Sequence, residues 1–174
     1  MQSYRDSVDQ VFADPERSIL PEADLEHFDG LHYFEIDEKW RVKARFKRVY
    51  FRRSFKMKTS TDRLPVYKPY GKFIFSVDGV QYELRVYRNM DKEIQKRYGM
   101  YLFMPFTDLT NNESTYGGGR YLDFKPEDLA AGYIDFNRCY NPYCAYNSRY
   151  SCPVPPLENH LELAVEAGVK KWHD

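Results

Sequence analysis

The sequence predicts a mainly β protein, a single-domain antiparallel barrel or sandwich of seven or eight short strands preceded by short helices. Three observations carry that reading. Aromatic residues make up 17% of the chain, led by 16 Tyr and 12 Phe, and flat rings pack well on a pleated surface. Apolar residues alternate with polar ones over several segments, the period of a half-buried strand. Turn signals separate those segments at short intervals. An up-and-down barrel is the preferred form, because closure removes exposed strand edges.

The opening SYRDSVDQVF places Tyr4, Val8, Val11 and Phe12 at helical spacing, which predicts an amphipathic helix of about three turns. Pro15 and Pro21 break the following stretch, and a short helical turn is expected after Pro21. Residues 1–30 therefore read as a helical segment packed on the β core. The period then changes to two. In WRVKARFK, Trp40, Val42, Ala44 and Phe46 face one way and Arg41, Lys43, Arg45 and Lys47 the other. The phase slips before Val49, as a turn or bulge would cause.

KFIFSVDGVQYELRVY holds the clearest local signal. Asp78-Gly79 suits a two-residue turn that needs positive φ at both central positions. Closing it pairs Val77 with Val80, Phe75 with Tyr82 and Phe73 with Leu84 on one face, and Ser76 with Gln81 and Lys72 with Arg85 on the other. Further strands are expected at MYLFMPF, where Pro105 points to an edge or a strand end, at RYLDF, at YIDFN, and at LELAVEAG with Leu161, Leu163 and Val165 alternating.

A chain of 174 residues, 43% apolar and 30% charged, is globular in composition and suits one domain, residues 1–174. No apolar run reaches the ~18 residues of a membrane span. The first residues carry neither a basic leader nor an apolar segment, so the expected location is cytoplasmic, with no membrane partner. The formal charge is zero, yet ten Lys or Arg and no acid lie between Lys39 and Lys58. That stretch invites a nucleic-acid reading. The alternation is what any half-buried strand shows, however, and a chain with no net positive charge lacks the usual electrostatic footprint; nucleic acid is not the expected partner.

Residues 107–159 read differently from the barrel walls. TYGGGRYLDF sets three glycines before Arg120. Glycines let backbone approach a ligand closely, and an arginine fork suits carboxylate or phosphate. The expected ligand is a small polar or anionic molecule held by Asp108, Tyr116, Gly117, Gly118, Gly119, Arg120, Asn137, Asn141 and Asn159. The competing reading is structural. No Lys-Ser/Thr follows the glycines and a strand comes next, so the loop equally suits an arginine that ties down carboxylates and shuts the barrel. A third reading is an enzyme of hydrolase type with Asp123, Asp135 or Glu158 as acid or base, since a carboxyl crowded by protein titrates high. No cofactor is expected. Cys139, Cys144, Cys152 and His160 offer an alternative zinc set of three thiols and an imidazole, although the spacing matches no compact knuckle. Three cysteines without an export signal favour reduced thiols.

These motifs carry a resemblance. MPFTDLTNNESTYGGGRYLDF, DFNRCYNPYCAYNSRYSCPVPPLEN and VEAGVK, with FDGLHYF at Phe28–Phe34, are similar to the signature of domain of unknown function sixteen-eighty-four. The match runs nearly continuously from Pro105 to Gly168. The resemblance implies that Thr107, Asp108, Tyr116 to Arg120, Asp123, Asp135, Asn137, Asn141, Cys144, Cys152, Glu158 and Asn159 hold signature positions; it implies no activity. Cys139 stands where the family usually has Ala, and His160 where Arg is common, so the resemblance removes two of the four zinc candidates from the shared pattern. Leu157 is an added residue between the prolines and Glu158.

Overall fold

A computed structural model of the chain, describing residues 1–173, builds its sheet outward from the Asp78-Gly79 turn. Both residues adopt positive φ, 49° and 79°. The turn joins β3 (Val66–Val77) to β4 (Val80–Asn89) in the register expected from the sequence, with Val77 opposite Val80, Phe75 opposite Tyr82 and Phe73 opposite Leu84. A register shift between Pro69 and Gly71 bends β3.

Around this hairpin lie β1 (Arg41–Arg48), β2 (Phe55–Lys56), β5 (Leu102–Asp108), β6 (Arg120–Phe124), β7 (Tyr133–Asp135) and β8 (His160–Leu161). The strand order is β6-β5-β4-β3-β1-β7, with β2 beside β3 and β8 beside β5. Every pairing is antiparallel except the two-residue β5–β8 contact. The eight strands form a curled, incompletely closed barrel. Its two end strands are stitched by the chain that leaves β7, because Tyr140 exchanges backbone hydrogen bonds with Tyr121 of β6.

The principal core fills the concave side: Trp40, Val42 and Ala44 from the β1 region, Phe73, Phe75, Leu84 and Val86 from the hairpin, Leu102, Met104 and Phe106 from β5, and Ile134 and Phe136 beyond. On the other side of β5, Phe103 packs with Tyr67, Tyr87, Tyr121 and Met57 beneath the 140–153 segment. Both faces of β5 are covered, which is why MYLFMPF reads as a continuous apolar run.

Helix α1 (Gln2–Ala13) is the expected amphipathic helix; α2 (Glu22–Leu25) follows Pro21, and α3 (Lys92–Tyr98) lies between β4 and β5. The N-terminal segment packs chiefly through Phe12, Leu20 and Leu31 against Tyr146 and Val169, over the C-terminal third of the chain. No helix among the described residues is long and apolar enough to cross a membrane.

Two sequence expectations change. LELAVEAG contributes only Leu161 to the sheet, the second residue of β8; Val165 and Ala167 are buried as irregular chain, whose carbonyls are taken by a side chain described below. Pro105 lies inside β5, between β4 and β6, and not at an edge. The missing N–H is accommodated by Asn159, a fully buried residue wedged between β4 and β5. Its carbonyl accepts from the Arg85 N–H at 2.8 Å, and its amide donates to the Arg85 carbonyl at 2.9 Å and the Pro105 carbonyl at 2.7 Å. One side-chain amide thus replaces the ladder that proline interrupts.

Candidate functional site

Arg120 begins β6 and is fully buried, with its guanidinium turned into the protein. It donates to Asp108 Oδ2 at 2.8 Å, to the Val165 carbonyl at 2.7 Å and to the Ala167 carbonyl. Asp108 is equally buried and is completed by the Thr110 N–H at 2.8 Å and the Thr110 hydroxyl. This geometry corrects the expectation that Arg120 meets a ligand: its acceptors come from β5 and from the 165–167 segment, and it presents no surface to solvent. A charge removed from water needs such partners, and here the protein supplies them to both terminal nitrogens, while Nε has none.

The glycines are occupied by the protein as well. Gly119 holds φ +87°, and a Cβ there would lie 2.5 Å from the Phe106 carbonyl and 2.8 Å from Pro155 Cγ. At Gly117 the obstacle is Asn112 Oδ1, and at Gly118 the Tyr116 ring. Gly119→Ala is expected to cost about 2 kcal/mol or more, combining a disfavoured backbone region with a collision. Gly79→Ala, with φ +79° but nothing within 4 Å, should cost only the backbone part. Comparing their urea midpoints separates the two terms.

The other expected binding residues also hold the protein to itself. Asn137 accepts from the Asp37 N–H and donates to the Asp37 carbonyl and to Asp135, while Asn141 donates to the Lys170 carbonyl. Asp135 accepts the Asn137 N–H. Glu158 meets Arg85 at 3.3 Å and the Tyr87 hydroxyl at 3.2 Å. The four zinc candidates are not assembled. Cys139 lies in the main core and His160 sits on β8 with its Nδ1 on Thr107, and among the described residues no group of three or more His, Cys, Asp or Glu is placed to hold a metal ion.

Asp123 is different. It lies on β6 facing the seam where β6 and β7, the two ends of the sheet, fail to pair. A cleft of about 300 Å³ opens there, lined by Tyr4, Asp123, Asp128, Tyr133, Asp135, Arg138 and Tyr140 among others. The Tyr140 hydroxyl donates to Asp123 Oδ2 at 2.5 Å. Enclosure by the cleft walls pushes the Asp123 carboxyl up to about 6, with the Tyr140 hydrogen bond pulling in the opposite direction. Asp123 keeps open surface toward the cleft, so the enclosure is that of a narrow recess and not of a dry core. Arg138 stacks over Tyr4 at 4.9 Å, which brings α1 to the rim. Sequence reasoning named Asp123 and Asp135 but missed Tyr4, Asp128, Tyr133 and Tyr140. A larger hollow of about 870 Å³ lies on the outer surface of β1 and β3, lined by Arg41, Lys43, Arg45, Ser76 and Gln81; it is wide and shallow and gathers no carboxylate.

The fold and this seam define a class: a mainly β, curled-barrel protein whose sheet closes around a buried arginine–aspartate lock and leaves an acidic cleft at its seam. Residues 26–170 match the family described as Protein of unknown function (DUF1684), and the chain belongs to that family. The chain is also similar to the solution structure of an uncharacterised protein from gene locus rrnAC0354 of Haloarcula marismortui, at 37% identity and a TM-score of 0.73, covering 97% of this chain and 91% of that one. No curated protein matches the chain.

Proposed function

We propose that this protein binds a small polar molecule in the cleft between β6 and β7, and that Asp123 exchanges a proton with it. The observation that supports this reading is the Asp123–Tyr140 pair: a carboxyl raised to about 6 and hydrogen-bonded to a tyrosine hydroxyl, with open surface toward a cleft. A carboxyl tuned toward neutral pH is what general acid or base work requires, and such groups cluster at functional sites. Asp135 and Glu158 are engaged by Asn137 and by Arg85 with Tyr87, which leaves Asp123 as the acid or base of a hydrolase-type reaction. The lining holds three carboxylates against the single guanidinium of Arg138. That balance disfavours an anion and favours a molecule bearing hydroxyl or amino groups, able to donate to carboxylates and stack on tyrosine rings.

The test is a screen of small polyols, amino sugars and amines against isotopically labelled protein by amide chemical shifts. Hits are expected to move residues 122–124 and 133–140, and Asp123→Asn to weaken them about tenfold, the worth of one charge-assisted hydrogen bond. A library that leaves the seam unmoved, or an Asp123 carboxyl that titrates near 4 by carbon NMR, would overturn the reading.

The raised pKa also fixes a stability trend. The folded state binds the Asp123 proton more tightly than the unfolded chain does, so this group's contribution is greatest at low pH and declines as pH rises from about 4 to about 6. Asp123→Asn, which cannot ionise and can still accept from Tyr140, should therefore melt higher than the parent at pH 7.5 and alike at pH 4. Open surface screens the carboxylate, so the difference should be on the order of a few degrees.

A further inference from the structure

We propose that Cys144 and Cys152 form a peroxide-reactive dithiol, in which Cys144 is oxidised first and Cys152 resolves it into a reversible disulfide. Cys144 lies in a single helical turn, Tyr143–Ala145, and Cys152 in the extended strap that follows. Both are free thiols. The Cys144 N–H donates to the Cys152 sulfur at 3.2 Å, which brings the Cys144 side chain, only a few bonds from that nitrogen, within reach of the same sulfur. The Ser60 hydroxyl, from the facing loop, accepts the Cys152 N–H at 3.1 Å. The Tyr116 hydroxyl stands 3.8 Å from Cys144 Sγ. Gly118 permits that placement, since any side chain there would strike the Tyr116 ring. The glycine-rich loop thus presents a phenol to a sulfur.

The division of labour follows from exposure and partners. Cys144 is half-buried and reachable, whereas Cys152 is buried. Hydrogen bonds from Cys152, Tyr116 and Ser60 favour the Cys144 thiolate, lowering its pKa to about 6 against the opposing effect of burial, while Cys152 is raised by the same hydrogen bond and by burial. Thiolate character and access select the sulfur that peroxide attacks. Cys139 is the internal contrast: it is buried in the core and burial pushes its thiol up.

The chemistry balances with a hydroperoxide as the named oxidant. Cys144 sulfur attacks one peroxide oxygen; the S–O bond forms, the O–O bond breaks, and the departing oxygen takes a proton to leave as water or alcohol. Cys152 sulfur then attacks the Cys144 sulfenic acid; the S–S bond forms, the S–O bond breaks, and hydroxide leaves with the Cys152 proton as water. The two sulfurs together lose two electrons and the peroxide gains them. An external dithiol reverses the bridge by exchange. The strap is held ready for this, because Cys152 is pinned on both backbone sides, its N–H on the Ser60 hydroxyl and its carbonyl on the Ser60 N–H.

The experiment treats the full chain with stoichiometric hydrogen peroxide, alkylates the remaining thiols, and reads intact and peptide masses. One alkylated thiol, on Cys139, and a Cys144–Cys152 linked peptide that dithiothreitol releases are expected. Cys139→Ser should form the same bridge at the same rate, and Cys152→Ser should stop at a sulfenic acid on Cys144 that dimedone traps. The wild-type result decides the matter even where a variant folds poorly. Full alkylation of Cys144 after peroxide, a bridge involving Cys139, or direct passage of Cys144 to sulfinic acid without a bridge would overturn the proposal.

Discussion

Asn159→Ala is expected to destabilise the protein by about 4 kcal/mol, which lowers the melting temperature by roughly 8–16 °C for a domain of this size. The substitution removes no exposed surface, since Asn159 is fully buried. What it removes is the partner of three backbone groups, the Arg85 N–H, the Arg85 carbonyl and the Pro105 carbonyl. Each would remain between β4 and β5, where the direct ladder is restricted to Tyr87 with Phe103 and Arg88 with Leu102. An unpaired buried polar group costs about 1–3 kcal/mol, so three of them account for the figure even after partial relaxation. Asn159→Asp should be worse than Asn159→Ala, because it replaces two donated hydrogen bonds with repulsion between a carboxylate and two carbonyls. Urea unfolding at 25 °C checks both. A loss below about 1 kcal/mol for the alanine variant would mean that the strands close the gap by themselves and that the wedge is ornamental.

The same residue shows where the sequence was transparent and where it was opaque. The Asp78-Gly79 hairpin was legible because turn chemistry and alternation are local and agree, and its register followed without adjustment. The stripe from Trp40 to Phe46 was legible for the same reason. Pro105 misled, because the rule that proline belongs at edges assumes the ladder must be made by backbone; a side chain 54 positions away supplies the missing bonds instead. The glycine-arginine motif was found at once, but local sequence holds no sign of which way a guanidinium points. Its acceptors in Asp108, Val165 and Ala167 are set by how the chain returns after β8. The cleft was hardest to see. Asp123 and Asp135 were visible as carboxylates in otherwise aromatic strands, yet Tyr4, Asp128, Tyr133 and Tyr140 are ordinary in context and become a site only where the two ends of the sheet meet. The one available hint was that a crowded carboxyl needs a donor, and tyrosine is the donor most abundant in this chain.

Arg120→Met should cost about 3–5 kcal/mol, the range for removing one partner of a buried ion pair, and the way that cost responds to a second substitution distinguishes a lock from a ligand anchor. Methionine keeps much of the side-chain volume but leaves Asp108 without its buried cationic partner, orphans the Ala167 carbonyl, and leaves the Val165 carbonyl only the Ala167 N–H. Adding Asp108→Asn removes the uncompensated charge while Oδ1 can still accept from Thr110. The double variant is therefore expected to be more stable than Arg120→Met alone by about 1–2 kcal/mol, a coupling within the range seen for contacting residues. Arg120→Lys should fall between parent and Arg120→Met, since one ammonium cannot span three acceptors drawn from separate segments with the reach of a planar fork. An arginine kept for an anionic ligand would behave in the opposite manner: such sites hold their charge against stability, so its removal would leave the melting temperature unchanged or raised. Calorimetric melting of the single and double variants, run side by side at pH 7, separates the two outcomes. A neutral Arg120→Met would return the glycine-arginine loop to the ranks of binding sites and remove the lock from the fold's account of itself.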